Sequence, residues 1–534
     1  MTEVHLQGNE SRFPFAVPVG MWPKKWAEKR PDKLAIVDLY RGQQCTYRDL
    51  HIRSNILANA LLARGLKKGD KIAVILENCI PYMELYFACA KLDVILMPVN
   101  YRLSPPEWKY QIGLVEPSVV IVGEEFLDKF SDLTSLGVNF AQEDVYCLRL
   151  PHGDRALPYK DYALLVKDSN SKDVELDWDI NIEDIQIVMF TSGTTRVPKG
   201  AMLSYRKNFY CTVSDALELD MLPEDRWLLS LPLYHSGGMI IEAVPALYMG
   251  ATLFMKRGKP EEFLEAIENN GLTKWFAITY HGRAIASIPD IEKKYRLESF
   301  KQLILGGEPV PASLAETLQK KWPHLIIRTL YGATEASCSV VVPAKDARRK
   351  AGSCGIPVFF AQARVVDDND RDVKQGEIGE LIVNGPIRCS GYWRDPETTR
   401  EIFKGGWFHT GDLARMDEEG FIYIVDRKKD MIISGGENIH SSEVEAVVRQ
   451  HPKVEEVAVI GVPDERWGER PIAIVMPKGG QGVTTEEIRE FCQGKLAKFK
   501  IPDRVELTSE LPLVGPGKIA KWRLREEYGG GIAK

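Results

Sequence analysis

Apolar runs alternate with amphipathic stretches along most of this chain, and that rhythm predicts its architecture. Ile72–Leu76 is a short continuous apolar run, the signature of a strand buried on both faces. Tyr82–Leu92 then reads as a helix and Val94–Val99 as a strand. Ser104 followed by Pro105 supplies an N-cap and a first-turn proline for the next helix, and Val119–Val122 returns to strand. Strands separated by helices of this length are βαβ units of a mostly parallel sheet. The rhythm resumes beyond a polar region at about 150–183. Strands are predicted at Trp227–Leu233, Thr252–Met255, Lys274–Thr279, Leu303–Leu305 and Ile326–Leu330, with helices at Glu261–Asn270 and Ala312–Trp322. Two such blocks predict two related sheets packed together.

From roughly 350 to 425 the runs shorten and glycine turns multiply, which predicts a smaller β-rich unit. Beyond Arg427 the pattern changes again. Ser442-x-x-Glu445 and Thr484-x-x-Glu487 read as capping boxes opening amphipathic helices, and Val457–Val462 and Pro471–Met476 read as strands between them. The fold class is therefore α/β: a large N-terminal part of two packed βαβ sheets with a small β-rich subdomain, then a small α+β C-terminal domain.

Composition adds boundaries. At 534 residues the chain exceeds one ordinary core, so at least two domains are expected. A net charge of −6 gives no reason to expect nucleic acid or an acidic membrane as partner. Nine scattered cysteines without a Cys-x-x-Cys favour reduced thiols and a cytoplasmic setting. The N-terminus carries no signal-peptide pattern. Gly237–Met255 is the most apolar long run, but Glu242, Pro245 and Gly250 interrupt it. A buried helix followed by a strand fits better than a transmembrane segment.

Chemistry concentrates where strands should end. The apolar run Ile185–Phe190 leads into Thr191-Ser192-Gly193-Thr194-Thr195-Arg196-Val197-Pro198-Lys199-Gly200, ahead of a helix near Ser204. Small residues, hydroxyls and one lysine between a strand and a helix suit polyphosphate. The order of Pro198, Lys199 and Gly200 rules out a Walker loop. His235 follows Leu231-Pro232-Leu233-Tyr234, and Gly306-Gly307-Glu308 follows a strand where paired glycines let a flat ligand approach the backbone. Tyr331-Gly332-Ala333-Thr334-Glu335 offers a ring to stack on a base, a hydroxyl for phosphate and a carboxylate for Mg²⁺. Trp407-Phe408-His409-Thr410-Gly411-Asp412 offers a carboxylate suited to accepting both ribose hydroxyls. Asp426–Asp430 is a dense charge cluster, and Lys518 is a glycine-flanked lysine near the C-terminus. In open α/β sheets ligands bind beyond the carboxyl ends of strands.

Together, in this order, these stretches resemble the acyl-adenylate-forming superfamily of acyl- and aryl-CoA synthetases, adenylation domains and firefly-type luciferases, over about residues 20–525. The likeness is strongest to a free-standing acyl-CoA synthetase. It implies an ATP- and acyl-binding domain at 1–427, a hinge at 428–430 and a mobile domain at 431–534. By that likeness Thr191 to Lys199 would hold the pyrophosphate end of ATP. Gly307, Glu308 and Tyr331 would frame adenine, Thr334 would meet the α-phosphate and Glu335 the Mg²⁺. Asp412, helped by Arg427, would fix the ribose. Lys429 matches the hinge and Lys518 the adenylation lysine. Gly435 and Gly436, with Lys500, resemble the surface that admits coenzyme A. His235 matches an aromatic gate beside an acyl pocket drawn from Gly238, Ile278, Tyr280, His281, Gly306 and Ala333.

That mainly apolar pocket suits a fatty or aromatic monocarboxylic acid, and no arginine cluster suggests a dicarboxylate. Delivery to a carrier-protein thiol and a non-catalytic nucleotide-binding role are the alternatives, and a homo-oligomer is compatible with either. Two positions depart from the family pattern. Arg196 stands where glycine is usual, and Pro516 replaces the Ser or Thr before Gly517-Lys518.

Overall fold

A computed structural model describes residues 19–150, 156–191, 197–513 and 518–529. Two large sheets dominate. In the seven-stranded sheet the order runs Lys160–Asp161, Val145–Leu148, Val119–Gly123, Lys71–Ile75, Ile95–Pro98, Ile185–Thr191, Lys199–Ser204. All neighbours are parallel except the last pair. The nine-stranded sheet has a parallel centre of Ile326–Ala333, Gln302–Gly306, Lys274–Ile278, Arg226–Leu229, Thr252–Met255 and Leu34–Asp38. Antiparallel strands close both of its edges. Strand Leu34–Asp38 and the edge strand Gln43–Thr46 precede the point where the sequence rhythm becomes regular, and they join the second sheet rather than the first.

Helix Ile80–Leu92 lies in the core cluster that both sheets share. Every residue in it except Pro81 is buried, as expected of a helix apolar all round. Its two charged residues are accommodated individually. Lys91 Nζ donates to Ser54 Oγ at 2.7 Å and Asn55 Oδ1 at 2.6 Å, and burial lowers its pKa to about 7.

The β-rich unit is an antiparallel meander of Gln362–Val366, Gly379–Asn384, Phe408–Met416 and Ile422–Arg427. The C-terminal domain is a five-stranded sheet carrying helices Ser441–Val448, Thr485–Cys492 and Lys521–Tyr528. The fold class read from the sequence therefore stands: a large N-terminal domain built on sheets and a small α+β domain after it. Among the described residues no helix is long and apolar enough to cross a membrane, and Gly237–Met255 forms a π-helix, a short α-helix and a strand.

Three local expectations are corrected. The strand predicted at Trp227–Leu233 ends at Leu229, because Pro232 cannot donate to a ladder and its carbonyl instead accepts the His235 N–H at 3.1 Å. The loop after Thr191 does not lead into a helix. The strand turns back as Lys199–Ser204, with Thr191 opposite Lys199, and helix Tyr205–Glu218 begins only after that return strand. Ser442 and Glu445 make no capping box. His440 is the N-cap, Ser442 Oγ donates to the Val425 carbonyl, and Glu445 accepts the Val459 N–H and pairs with Lys521. The box at Thr484 and Glu487 is present.

Candidate active site

The carboxyl ends of the two large sheets converge on one cleft of about 2870 Å³. Thr191 ends a strand of the first sheet, and Glu335 follows Ile326–Ala333 of the second. Thr191 Oγ1 donates to Glu335 Oε1 at 3.3 Å. Tyr392 OH donates to the same oxygen at 2.6 Å. Tyr392 reaches it because residues 390–393 lie along the edge strand Lys199–Ser204, with Trp393 N–H on the Gly200 carbonyl at 2.7 Å and Met202 N–H on the Gly391 carbonyl at 2.8 Å. The Glu335 carboxylate is thus 7% exposed and held from two sides.

A second carboxylate is fixed in the same way. Asp412 and Arg427 are directly opposite in the hairpin Phe408–Met416/Ile422–Arg427, and cross-strand neighbours of opposite charge attract. Arg427 Nε lies 3.2 Å from Asp412 Oδ1, while Tyr331 OH donates to Oδ2 at 2.6 Å. This contact pulls the phenol pKa upward, after burial itself, and Asp412 raises that of Arg427. A residue of the nine-stranded sheet is thereby tied to the meander.

Lys518, from the C-terminal domain, lines the cleft beside His235 and Ala333. Burial, with Arg427 adding repulsion, lowers the Lys518 pKa below the ordinary lysine value, and Asp412, Glu335 and Glu308 oppose that shift. Burial lowers His235 to about 4, with Lys518 contributing. His235 Nδ1 accepts the Gly237 N–H at 3.2 Å, so the neutral ring carries its proton on Nε2. Asn78 clamps this turn from the other sheet, donating to the Leu231 carbonyl and accepting from Leu233 N–H, each at 2.8 Å. Ser236 Oγ lies 3.3 Å from Thr334 Oγ1.

Gly307, Glu308, Tyr331, Gly332, Ala333 and Thr334 all line the cleft, as do Ile278, Tyr280 and His281. Tyr280 is at the rim, 52% exposed. His281 packs between Phe263 and Trp275. Two expected pocket glycines do not reach the cleft. A Cβ on Gly238 would lie 2.4 Å from the Pro232 carbonyl oxygen, and one on Gly306 would lie 3.0 Å from that of Leu330. Both glycines serve close packing behind the wall.

Lys199 lines the cleft but is engaged by Asp395, with Thr398 Oγ1 at 3.4 Å. Ser192, Gly193, Thr194, Thr195 and Arg196 lie outside the described residues, as does Pro516. Gly435 and Gly436 form the two-residue turn of the hairpin Ile432–Ser434/Glu437–Ile439, both at positive φ as such turns require. Both are exposed and neither lines the cleft. Lys500 Nζ pairs with Glu443 at 2.7 Å and is likewise away from it.

The sequence reading missed four contributors: Asn78, Ser236, Tyr392 and Arg283. Arg283 Nη2 contacts Glu308 at 2.8 Å and Glu456 of the C-terminal domain at 3.4 Å, and Glu456 also pairs with Arg449 at 2.6 Å. Asn78 and Arg283 stand outside glycine-rich stretches and gave no signal, whereas Ser236 precedes Gly237-Gly238 and Tyr392 follows Gly391.

Residues 23–393 match the AMP-binding enzyme family, and residues 443–518 match the AMP-binding enzyme C-terminal domain. The chain belongs to the AMP-binding enzyme family. A feruloyl-CoA synthase from Amycolatopsis sp is 35% identical to it over 96% of this chain and 99% of the relative. Among solved structures, ATP-bound MatB from Rhodopseudomonas palustris superposes with a TM-score of 0.86 at 28% identity, covering 96% of this chain and 99% of that one. The o-succinylbenzoate CoA synthetase MenE from Bacillus subtilis, in complex with its acyl-adenylate intermediate OSB-AMP, superposes at 0.82 with 28% identity and coverages of 96% and 99%. The same MenE has also been solved with ATP and magnesium ion.

All nine cysteines of this family member are free thiols, eight of them buried. Among the described residues no three metal-ligating side chains gather. Mg²⁺ characteristically binds through one or two carboxylates plus substrate phosphates, and the oxygen set of Glu335 with Thr191 and Tyr392 fits that arrangement.

Proposed function

We propose that this chain is a free-standing ligase that joins a monocarboxylic acid with an apolar body, fatty or aromatic, to coenzyme A through an acyl-adenylate. The reaction class follows from the family and its named relatives: the enzyme is an AMP-forming acid–CoA ligase that uses ATP. The observation that carries the residue assignment is the presence of Lys518 in one cleft with His235, Glu335 and Asp412, four groups far apart in the chain.

In this reading Asp412 accepts the ribose hydroxyls, with Arg427 holding its carboxylate in place, and Tyr331, Gly307, Gly332 and Glu308 frame the adenine. Thr191, Thr334 and Lys199, with the residues Ser192 to Thr195 between the first and last of these, receive the phosphates. Lys199 must leave Asp395 to do so. Glu335 would hold Mg²⁺, which when bound would supply charge neutralisation for the polyphosphate. When the acid carboxylate attacks the α-phosphorus, pyrophosphate leaves and negative charge builds on the phosphoryl oxygens. Lys518 is placed to donate to that charge, and a preorganised donor of this kind is worth on the order of 10²–10³ in rate. Its lowered pKa reflects burial, and the substrates' phosphates and carboxylate add counter-charge beside it. Burial of the site keeps water from the mixed anhydride.

Transfer to the thiol needs the other face of the C-terminal domain. The hinge at 428–430 has anchors on both sides: Lys428 pairs with Asp368 and Glu380 of the large domain at 2.8 and 3.2 Å, and Asp430 pairs with Arg525 of the small one at 2.8 Å. Rotation about Lys429 between them, with 1–427 as one body and 431–534 as the other, withdraws Lys518 and brings in Gly435, Gly436 and Lys500. The free thiols agree with a cytoplasmic enzyme. Carboxylate-dependent exchange of labelled pyrophosphate into ATP, followed by thioester formation on adding CoA, tests the reading. Absence of exchange with every acid in a broad panel would sink it.

A further inference from the structure

Off the main cleft, behind His235 and Lys518, lies an alcove of about 50 Å³. Its inner wall is made by Gly237, Ile241, Phe276 and Leu330, and Ala333 stands beside the mouth next to Thr334. An acid whose carboxylate meets Lys518 would have this recess open to its body. Resting on the ligase reading above, we propose that this alcove restricts the acid to a compact, singly charged aliphatic monocarboxylate, with a body of about three to five non-hydrogen atoms beyond the carboxyl group.

The size follows from the volume. A cavity that takes benzene measures roughly 150 Å³, about three times the alcove. The alcove therefore has room for a short or branched alkyl group and not for an aromatic ring. Three features set that limit. Ile241 projects from the π-helical segment Gly237–Ala243, a conformation frequent at functional sites. Phe276 is 4% exposed and closes the floor from strand Lys274–Ile278. Gly237 faces the space itself: a Cβ there would sit 3.2 Å from Leu231 Cδ1, 3.4 Å from His235 Nδ1 and 3.5 Å from Phe276 Cε1.

The charge limit follows from the lining. Apart from Lys518 and the neutral His235, the residues around the alcove carry no ionisable side chain. A second carboxylate inside it would be buried without a partner, which costs several kcal/mol. Arg283 offers no rescue, because Glu308 and Glu456 already engage it.

The test is a kcat/KM series on the full-length enzyme with acetate, propionate, butyrate, 3-methylbutyrate, succinate, benzoate, ferulate and octanoate, read both as pyrophosphate exchange and as CoA thioester. The native enzyme should prefer butyrate or 3-methylbutyrate to benzoate, ferulate, octanoate and succinate by about tenfold or more. One methylene more or less in such a pocket changes specificity about 10- to 200-fold, so Gly237→Ala should shift the acetate-to-butyrate ratio toward acetate by at least about tenfold. Ile241→Ala should move the optimum toward benzoate. If native enzyme favours benzoate, ferulate or succinate, the alcove is not the acid site and the proposal falls while the ligase reading survives. Equal scaling of all acids by Gly237→Ala also overturns it. No exchange with any acid overturns both.

Discussion

The large-domain half of the cleft and the face of the small domain proposed to meet coenzyme A both carry conspicuous sequence signatures, yet they stand differently in space. Asp412 and Glu335 are assembled: each is buried, and each accepts from a tyrosine hydroxyl at 2.6 Å. The turn Gly435–Gly436 and Lys500 are exposed or paired elsewhere, outside the cleft that Lys518 lines. Lys518 and Gly435 both belong to the small domain, and in this pose only Lys518 lines the cleft. Under the proposed mechanism this pose suits the first half-reaction, and the second would use a different arrangement of the same parts.

The sharpest way to break that comparison is Lys518→Ala. Adenylation should fall about 10²- to 10³-fold, while acyl transfer from supplied acyl-adenylate falls far less. Separate single-turnover measurements of the two halves check it, and equal losses would mean that Lys518 serves both. The pH profile of adenylation gives a companion signature. Because the Lys518 pKa lies below the ordinary value of 10.5, the rate should decline as pH rises through that lowered pKa, and the decline should vanish in the variant.

Asp412→Ala should have the next largest effect. It removes the acceptor of two hydrogen-bonding groups and leaves Arg427 without its carboxylate partner beside Tyr331. Hydrogen bonds to a charged group are worth about 1.5–3 kcal/mol, so the ATP Michaelis constant in pyrophosphate exchange should rise about ten- to a hundredfold. An unchanged constant would remove Asp412 from the nucleotide site.

Gly436→Val tests the other side. At φ +84° a branched residue costs about 1–2 kcal/mol, and the distorted turn should slow thioester formation about tenfold and adenylation less. Equal slowing of both halves would separate this hairpin from the coenzyme A step.

The smallest expected effect belongs to Glu456→Gln, which loosens the bridge from Arg283 to the small domain. Ion pairs with access to solvent contribute about 0–1 kcal/mol. The ratio of adenylation to transfer rate should therefore move by no more than about fivefold, in favour of transfer. A shift the other way would mean that the bridge belongs to the rotated pose.

Much of this was legible in the chain itself. Buried strands such as Thr252–Met255 and helices such as Pro260–Asn270 were marked by apolar runs and turn residues, because continuous burial and local caps leave a local trace. The family signatures named Asp412, Glu335 and Lys518 for the same reason: glycine-flanked chemistry at strand ends is short-range. Capping was less secure. Thr484 and Glu487 form the box their spacing predicts, whereas Ser442 and Glu445 have the same spacing but are claimed by Val425, Val459 and Lys521. Competition from distant partners decided that case.

What the sequence determined by itself was the identity of the elements and of the residues able to do chemistry, since periodicity and turn propensity act over a few residues. Tertiary structure alone decided that Thr191 stands opposite Lys199 in antiparallel strands, that Tyr392 supports Glu335, that Asn78 clamps the His235 turn, and that Gly237 rather than Gly238 faces the alcove. Each depends on which strand lies beside which and on which way a side chain points after packing. Hydrogen bonds and close contacts between segments a hundred or more residues apart have no local signature, and a one-residue change along a helix or turn exchanges a lining atom for one buried behind the wall.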